Sequence, residues 1–263
     1  ERLRGAVLVS ATLTVKGSFE YFDRQTGLGA DLEPAQKVFP SPFDYGSQAV
    51  LVVEHAPERE YSAADAVAYQ TRRLRDLTEA TGGRLLALFT NKQQMNKVAA
   101  AIGERAQSDG VVLLAQGVHG SAASLADEFR AHPATVLLGV DALWTGQDFP
   151  GDTLVCLVIA KLPFPRQDPL FEARREAAAQ DGRDWFRDFY LPEAVLRFRQ
   201  GFGRLIRTET DRGVVVVLDH RLTQKRYLDD FLQSLPEIEL IRARPQDVAE
   251  AATAALRRLG CLG

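Results

Sequence analysis

Short, β-branched apolar runs alternate with longer amphipathic stretches along most of this 263-residue chain. Strand-length runs are predicted at Gly5–Ala11, Gln48–Glu54, Arg84–Phe89, Val111–Ala115, Thr135–Leu138, Thr153–Ile159, Val214–Leu218 and Ile238–Ile241. Helical periodicity predicts Ser18–Thr26, with Phe19 and Phe22 inward. It also predicts Tyr61–Thr81, with Ser62 as its cap and Val67, Leu74 and Leu77 on one side. Further helices are expected at Lys92–Arg105, Ser121–Ala131, Leu170–Gln180, Trp185–Tyr190, Pro192–Arg207, Lys225–Gln233 and Gln246–Leu259. Asp31–Asp44 holds three prolines and reads as loop, apart from a short strand at Lys37–Phe39, and Pro163–Pro169 reads as a rigid connection. Strands separated by helices of this length predict an α/β fold, a parallel sheet covered on both faces. One domain spanning 1–263 is expected, with a helical insertion around 165–191.

Composition narrows the class. The chain is 46% hydrophobic and 25% charged, as soluble globular proteins are. No apolar stretch reaches the roughly 20 residues of a membrane span, so no membrane partner is expected. The chain begins at Glu1 without a signal-like segment or an initiator Met, and it reads as a fragment or processed product. A net charge of −3 gives no overall attraction to nucleic acid, so any such site has to be a local patch. Cys156 and Cys261 are the two cysteines, too few for an iron–sulfur or zinc site or a disulfide framework. A reducing, cytoplasmic setting follows as the expectation. His55, His119, His132 and His220 lack metal spacing and read as surface or capping residues.

Candidate chemistry concentrates in the segment Gln200–Arg207. On a helix turning about 100° per residue, Gln200, Arg204 and Arg207 share one stripe, and Val195, Phe198, Phe202 and Leu205 share the opposite one. Gly203 beside the polar stripe leaves room for a ligand or a neighbouring backbone. Guanidiniums are planar, permanently charged and multiply donating, which suits phosphate. An ordinary solvated helix face is the plain alternative.

Ligands of parallel α/β sheets bind outside the carboxyl ends of the strands, so polar groups in the loops there are candidates for binding. Thr90 and Asn91 follow one strand at a helix start, Gln116 and Gly117 follow the next, and Gly139–Gly151 follows a third. In that last loop Gly146 and Gly151 frame Asp148, a candidate for a ribose hydroxyl or for orienting an arginine. Trp144 is either a platform for a stacked base or a buried ring.

The pattern Gln-x-x-Gly-Arg-x-x-Arg at 200–207, ahead of a valine-rich strand, resembles the last motif of superfamily 2 helicases. The wider run to Gly213 is similar to the DinG/XPD branch in particular. Colinear stretches extend the resemblance from Ser10 to about Pro236. Ser10-Ala11-Thr12-Leu13 resembles the motif coupling two motor lobes, and Leu88–Asn91 resembles a phosphate-contact segment. Trp144–Gly151 resembles the family's Trp-Glu-Gly-Val-Asp-x-Pro-Gly, with Thr145 in place of the acidic residue. Lys161–Phe164, Asp168–Leu170 and Tyr190–Pro192 resemble branch hallmarks that set the chain apart from RNA-helicase relatives. Asn91 and Lys92 depart from the usual serine and aromatic.

This resemblance implies a RecA-like C-terminal motor lobe without its own phosphate loop, since the chain contains no Gly-Lys dipeptide. ATP and Mg2+ would then be shared with an N-terminal lobe, and this lobe alone would not turn ATP over. Arg207 is implied as the arginine finger and Arg204 as a second phosphate or coupling contact. Gln200, Gly203, Asp148 and Gly146 are implied near the nucleotide, and Ser10 and Thr12 in coupling. Thr90, Asn91, Gln116, Trp144 and Thr145 are implied along single-stranded DNA. The resemblance also suggests 5′-to-3′ movement and DNA repair. A non-catalytic RecA-like module that binds a partner or nucleic acid is the competing reading.

Overall fold

A computed structural model describes residues 5–28, 33–55 and 63–262. Helix α1 (Glu20–Thr26) precedes a helical turn at Tyr45–Gln48 and strand β1 (Ala49–Glu54). There follow α2 (Ala63–Thr81), β2 (Leu85–Leu88), α3 (Lys92–Ser108), β3 (Val112–Ala115), α4 (Ala122–Ala131) and β4 (Thr135–Gly139). After β5 (Cys156–Ile159) the chain makes α5 (Pro169–Gln180), a π-helical turn (Phe186–Tyr190) and α6 (Leu191–Phe202). Strand β6 (Gly213–Val217), a helical turn at Arg221–Gln224, α7 (Leu228–Leu232), β7 (Glu239–Ala243) and α8 (Val248–Arg258) complete it.

All seven strands are parallel, in the order β3-β4-β2-β5-β6-β1-β7. Burial on both faces explains why these strands read as continuous apolar runs. In β1, Val50 and Val52 pack toward α2, α3 and α8, and Ala49, Leu51 and Val53 pack toward α4, α6 and α7. The result is the three-layer sandwich expected. Phe198 and Phe202 of α6 are buried, and each contributes about 1.5–3 kcal/mol relative to exposure.

Several expectations are corrected. Residues 5–10 form no strand, and Val7 and Val9 stand 88% and 87% exposed. None of the seven strands of the sheet pairs with them. Lys37–Phe39 is also irregular, with Phe39 exposed. Phe19 and Phe22 are half-buried rather than inward. The helix expected at Lys225–Gln233 is shortened to Leu228–Leu232, and Thr153 belongs to a 3-10 turn, not to β5. Ser62 lies outside the described residues.

The largest correction concerns α6, which ends at Phe202, so Arg204 and Arg207 are not helical. Past Gly203, a poor helix former, the chain tightens through bonds from Arg204 N to Gly201 O (3.0 Å) and Leu205 N to Phe202 O (3.2 Å). The Asp211 carboxylate then takes the backbone N–H groups of Arg207 and Thr208, which a continuing helix would need for its own carbonyls.

Candidate functional site

In a parallel sheet each crossover helix returns the chain to the amino ends of the strands. The loop after α6 therefore stands before β6, not at the carboxyl rim expected of it. Gln48, immediately ahead of β1, donates through Nε2 to the carbonyls of Thr208 (3.0 Å) and Asp211 (2.9 Å). Asp211 is 2% exposed, and its carboxylate accepts from Arg207 N (2.7 Å), Thr208 N (2.8 Å), Thr208 Oγ1 (2.6 Å) and Gly151 N (2.8 Å). One carboxylate thereby joins the arginine loop to the end of the Gly139–Gly151 loop. Charge-assisted bonds of this kind are stronger than neutral ones.

Arg207 and Arg204 differ in exposure. Arg207 carries an exposed guanidinium that pairs with Asp148 through Nη2. Arg204 is 8% exposed; its Nε donates to the Trp144 carbonyl (3.2 Å), its Nη1 to the Gln147 carbonyl, and Nη1 lies 3.6 Å from Asp148. Burial lowers its pKa and the neighbouring Arg207 adds to that, while Asp148 opposes both. Of the two arginines, only Arg207 presents an accessible guanidinium; Arg204 is spent on the backbone of the 144–147 turn. Arg130 grips the same turn from α4, donating to Asp148 O (3.0 Å) and Gln147 Oε1 (3.2 Å) and lying over Phe149.

Gly203 is not the point of close approach. A Cβ there would meet Arg199 O at 3.4 Å, an ordinary contact. At Gly201 a Cβ would lie 2.7 Å from two atoms of the Trp144 ring, so the glycine beneath the indole is the one that packing requires. Gly146 has φ +82° with open space around it and serves the turn.

The other singled-out residues gather at the carboxyl rim. Asn91 Oδ1 accepts from Gln94 N (3.0 Å) and caps α3. Thr90 is half-buried beside it, and Thr145 is exposed. Gln116 Oε1 accepts from Val140 N (2.9 Å), joining the β3 and β4 loops. Trp144 is 3% exposed and donates through Nε1 to the Phe89 carbonyl (2.9 Å), so it is a buried ring and not a stacking platform.

Gln200 contacts the segment at residues 10–14, donating to Thr12 Oγ1 at 3.3 Å. Ser10 Oγ accepts from Thr12 N at 3.2 Å. Arg199, absent from the sequence-derived candidates, holds the same segment more firmly, with Nη1 on Thr14 O (2.6 Å) and Nη2 on Ala11 O (3.1 Å). Arg199, Asp211, Gln48, Gly201 and Arg130 were all missed. Among them only Asp211 carried a sequence signal, a short acid just before a buried strand.

Cys156 lies inside β5, where burial pushes its thiol up to about 12; Cys261 is half-buried near the C-terminus. Among the described residues, no group of three or more His, Cys, Asp or Glu is placed to hold a metal. Among them, too, no helix is long and apolar enough to cross a membrane.

Comparison with known proteins bears on the family and the fold. The helicase C-terminal domain family matches residues 74–238. DinG of Bacillus subtilis, described as a 3′-5′ exonuclease, is 36% identical over 89% of this chain and 26% of its own length. The ATP-dependent helicase DinG of Mycobacterium tuberculosis is 38% identical over 88% of the chain and 34% of its length. The ATP-dependent DNA helicase YoaA of Escherichia coli is 38% identical over 93% and 37%. The chain thus spans about a quarter to two fifths of these relatives. Among solved structures, XPD in its apo form superposes with a TM-score of 0.55 at 18% identity, covering 75% of this chain and 40% of that one. S. cerevisiae Dbp5 bound to RNA and ADP BeF3 gives 0.51 at 19%, covering 90% and 52%. These structures bear on the fold, which they share as RecA-like. A seven-stranded parallel sheet, an arginine loop leading into β6 and a family match over more than half the chain lead to one assignment: this chain belongs to the helicase C-terminal domain family, in its DinG/XPD-like branch.

Proposed function

We propose that this chain is the second motor lobe of an ATP-dependent DNA helicase, with Arg207 as its arginine finger. The observation that carries this reading is the division of labour between the two arginines. Arg204 is buried in the loop's own backbone contacts, whereas Arg207 combines a backbone locked by Asp211 with an exposed guanidinium that pairs with a surface carboxylate and makes a long 3.4 Å contact to Gly203 O. Exposed pairs such as Arg207–Asp148 are worth about 0–1 kcal/mol, so Asp148 is a latch that a phosphate displaces easily.

ATP supplies the phosphoryl group and, with Mg2+, is gripped by an N-terminal lobe that carries the phosphate loop. Arg207 then neutralises charge on the transferring phosphoryl, a contribution of roughly 10³ to 10⁵ in rate for supplied arginines. Gln200 and Arg199 connect that event to the Ser10–Thr14 segment. The exposed Val7 and Val9 belong, in this reading, in the sheet of the N-terminal lobe, where their β-branched side chains become buried. Thr90, Asn91, Gln116 and Thr145 face single-stranded DNA from the carboxyl rim. Movement 5′-to-3′, a repair role and a cytoplasmic setting follow the same family reading.

The test is Arg207→Ala in a protein carrying both lobes. DNA-stimulated ATP hydrolysis should fall by about 10³ or more, with DNA affinity within about twofold. Near-normal turnover would overturn the assignment. Duplexes with a 5′ or a 3′ single-stranded tail, compared in the parent protein, report the direction.

A further inference from the structure

The carboxyl ends of β1 and β6 bring two acids together inside the protein. Val53 lies in register with Val217, so Glu54 stands beside Leu218 and one residue short of Asp219. Neighbouring strands lie about 4.8 Å apart. Both side chains are withdrawn from water, Glu54 at 0% exposure and Asp219 at 5%. Each of two buried carboxyls disfavours the charged form of the other, so one of them is better left protonated.

Hydrogen bonds decide which. Asp219 accepts from Arg221 Nε (2.9 Å) and Nη2 (2.6 Å), and from the N–H groups of Leu162 (2.9 Å) and Arg221 (3.1 Å). Glu54 accepts nothing: neither carboxyl oxygen has a partner among the described residues. A buried charge without such bonds is strongly disfavoured. The charges on the surrounding elements do not supply them. Arg73 of α2 attracts Glu54 but pairs with Asp76 at 3.1 Å. Arg221 is committed to Asp219, and Arg244 beyond β7 bonds Asp247 at 2.6 Å. His55, next along β1, is exposed, and His220 follows Asp219 at the head of the turn. The proton therefore belongs on Glu54.

Asp219 also serves as a tie. Its bond to Leu162 N–H joins the turn after β6 to the loop after β5. From the same turn Thr223 Oγ1 donates to the Glu54 carbonyl at 2.9 Å, which closes the turn over the end of β1. Charge appearing on Glu54 repels the very carboxylate that holds the two loops together.

We propose that the Glu54 carboxyl is a proton-operated latch at this rim. Protonated, it lets the Asp219 turn close over β1. Losing its proton to solvent hydroxide, it drives Asp219 off the Leu162 N–H and frees the β5 loop from the turn. The latch uses none of the arginine-loop residues and stands apart from the motor-lobe reading.

Burial, opposed by Arg73 and reinforced by Asp219, pushes the Glu54 carboxyl up to about 8, which sets the window for the test. Carbon-detected NMR titration of the side-chain carboxyls in the 263-residue chain should find Glu54 protonated at pH 6.5 and ionising near pH 8. Asp219 should stay ionised from pH 5 to pH 9. Amide exchange at Leu162, corrected for its intrinsic rise with pH, should lose about tenfold of its protection between pH 7 and pH 9. The midpoint of that loss should coincide with the Glu54 titration. Glu54→Gln should keep its Leu162 protection across the same range, and Leu137 in β4 should keep its own in both proteins. Glu54 already ionised at pH 6.5 would overturn the proposal, as would the same loss at Leu162 in Glu54→Gln. Separate midpoints in the parent would overturn it too, and that comparison holds even where the variant does not fold.

Discussion

Arg207 and Asp211 are joined through the backbone and not through charge: the Arg207 N–H donates to the Asp211 carboxylate at 2.7 Å, while the guanidinium turns away to Asp148. This arrangement fixes where the side chain starts and leaves its tip movable. The finger proposed for Arg207 would need both properties, since rate follows positioning.

Asp211→Ala removes the acceptor of three backbone N–H groups, those of Arg207, Thr208 and Gly151. Each buried donor left unpaired costs about 1–3 kcal/mol. Urea denaturation should therefore show a loss of about 3 kcal/mol or more, and Asp211→Asn, which keeps an acceptor oxygen, a smaller one.

Gly201 and Gly203 separate packing from conformational freedom. Gly201→Ala drives a methyl into the Trp144 ring, and overpacking of this kind costs about 1–3 kcal/mol. The same change at Gly203 meets only an ordinary contact and should stay within about 0.5 kcal/mol. Thermal melts of the two variants, with Trp144 emission as the local probe, check the contrast.

The architecture was legible because each strand is buried on both faces and writes itself as an apolar run: Val214–Leu218 and Gln48–Glu54 were found within a residue or so. The site was half legible. Residue types pointed to Arg204 and Arg207, yet helical periodicity carried the pattern five residues past Phe202, where Asp211 captures the backbone. That capture joins residues four apart in a loop, which no periodicity encodes. The end of the sheet was misjudged for a different reason. Residues that follow a crossover helix and precede a strand must stand at amino ends, and that rule of chain direction was overridden by the general preference of ligands for carboxyl ends. Phe19 and Gly5–Ala11 show the limit of composition: apolar content says what wants burial, not which body supplies it.

Glu54 and Asp219 sit at the carboxyl ends of β1 and β6 and respond to pH with opposite sign. Burial pushes the Glu54 carboxyl up to about 8 against the pull of Arg73, with Asp219 raising it further. Neither Glu54 oxygen has a hydrogen-bond partner among the described residues. A folded value above the unfolded one means stability present at acid pH and lost as the pH rises toward about 8. Glu54→Gln should match the parent at pH 5 and melt higher at pH 9.

Asp219 is buried too, which alone would raise it, but its bonds to Arg221 and to the N–H groups of Leu162 and Arg221 hold it below the usual carboxylate range. Its contribution is present at neutral pH and lost as the pH falls through that lowered value. Asp219→Asn should cost about 3–5 kcal/mol at pH 7, as removing one partner of a buried pair does. Guanidinium chloride denaturation at pH 7 and pH 3 should show that gap narrowing in acid.

Arg199 provides the last separable step, between α6 and the segment at residues 10–14. Its two terminal nitrogens reach the carbonyls of Ala11 and Thr14, a bidentate hold on backbone that a lysine's single ammonium cannot reproduce. Burial lowers the guanidinium pKa, with Tyr45 partly opposing it, so the group gives up water to make these bonds. Arg199→Lys should therefore behave much like Arg199→Ala, each releasing residues 11–14 from α6. Hydrogen exchange at Thr12 and Val15 should accelerate at least tenfold, the equivalent of about 1.4 kcal/mol, while exchange in β6 stays unchanged. On the coupling role proposed for residues 10–14, the same variants in a two-lobe protein should keep their affinity for ATP and lose the stimulation of hydrolysis by DNA, because that segment is no longer tied to the helix that carries Gln200. Stimulation that survives the loss of Arg199 would mean that the coupling runs through another part of the interface.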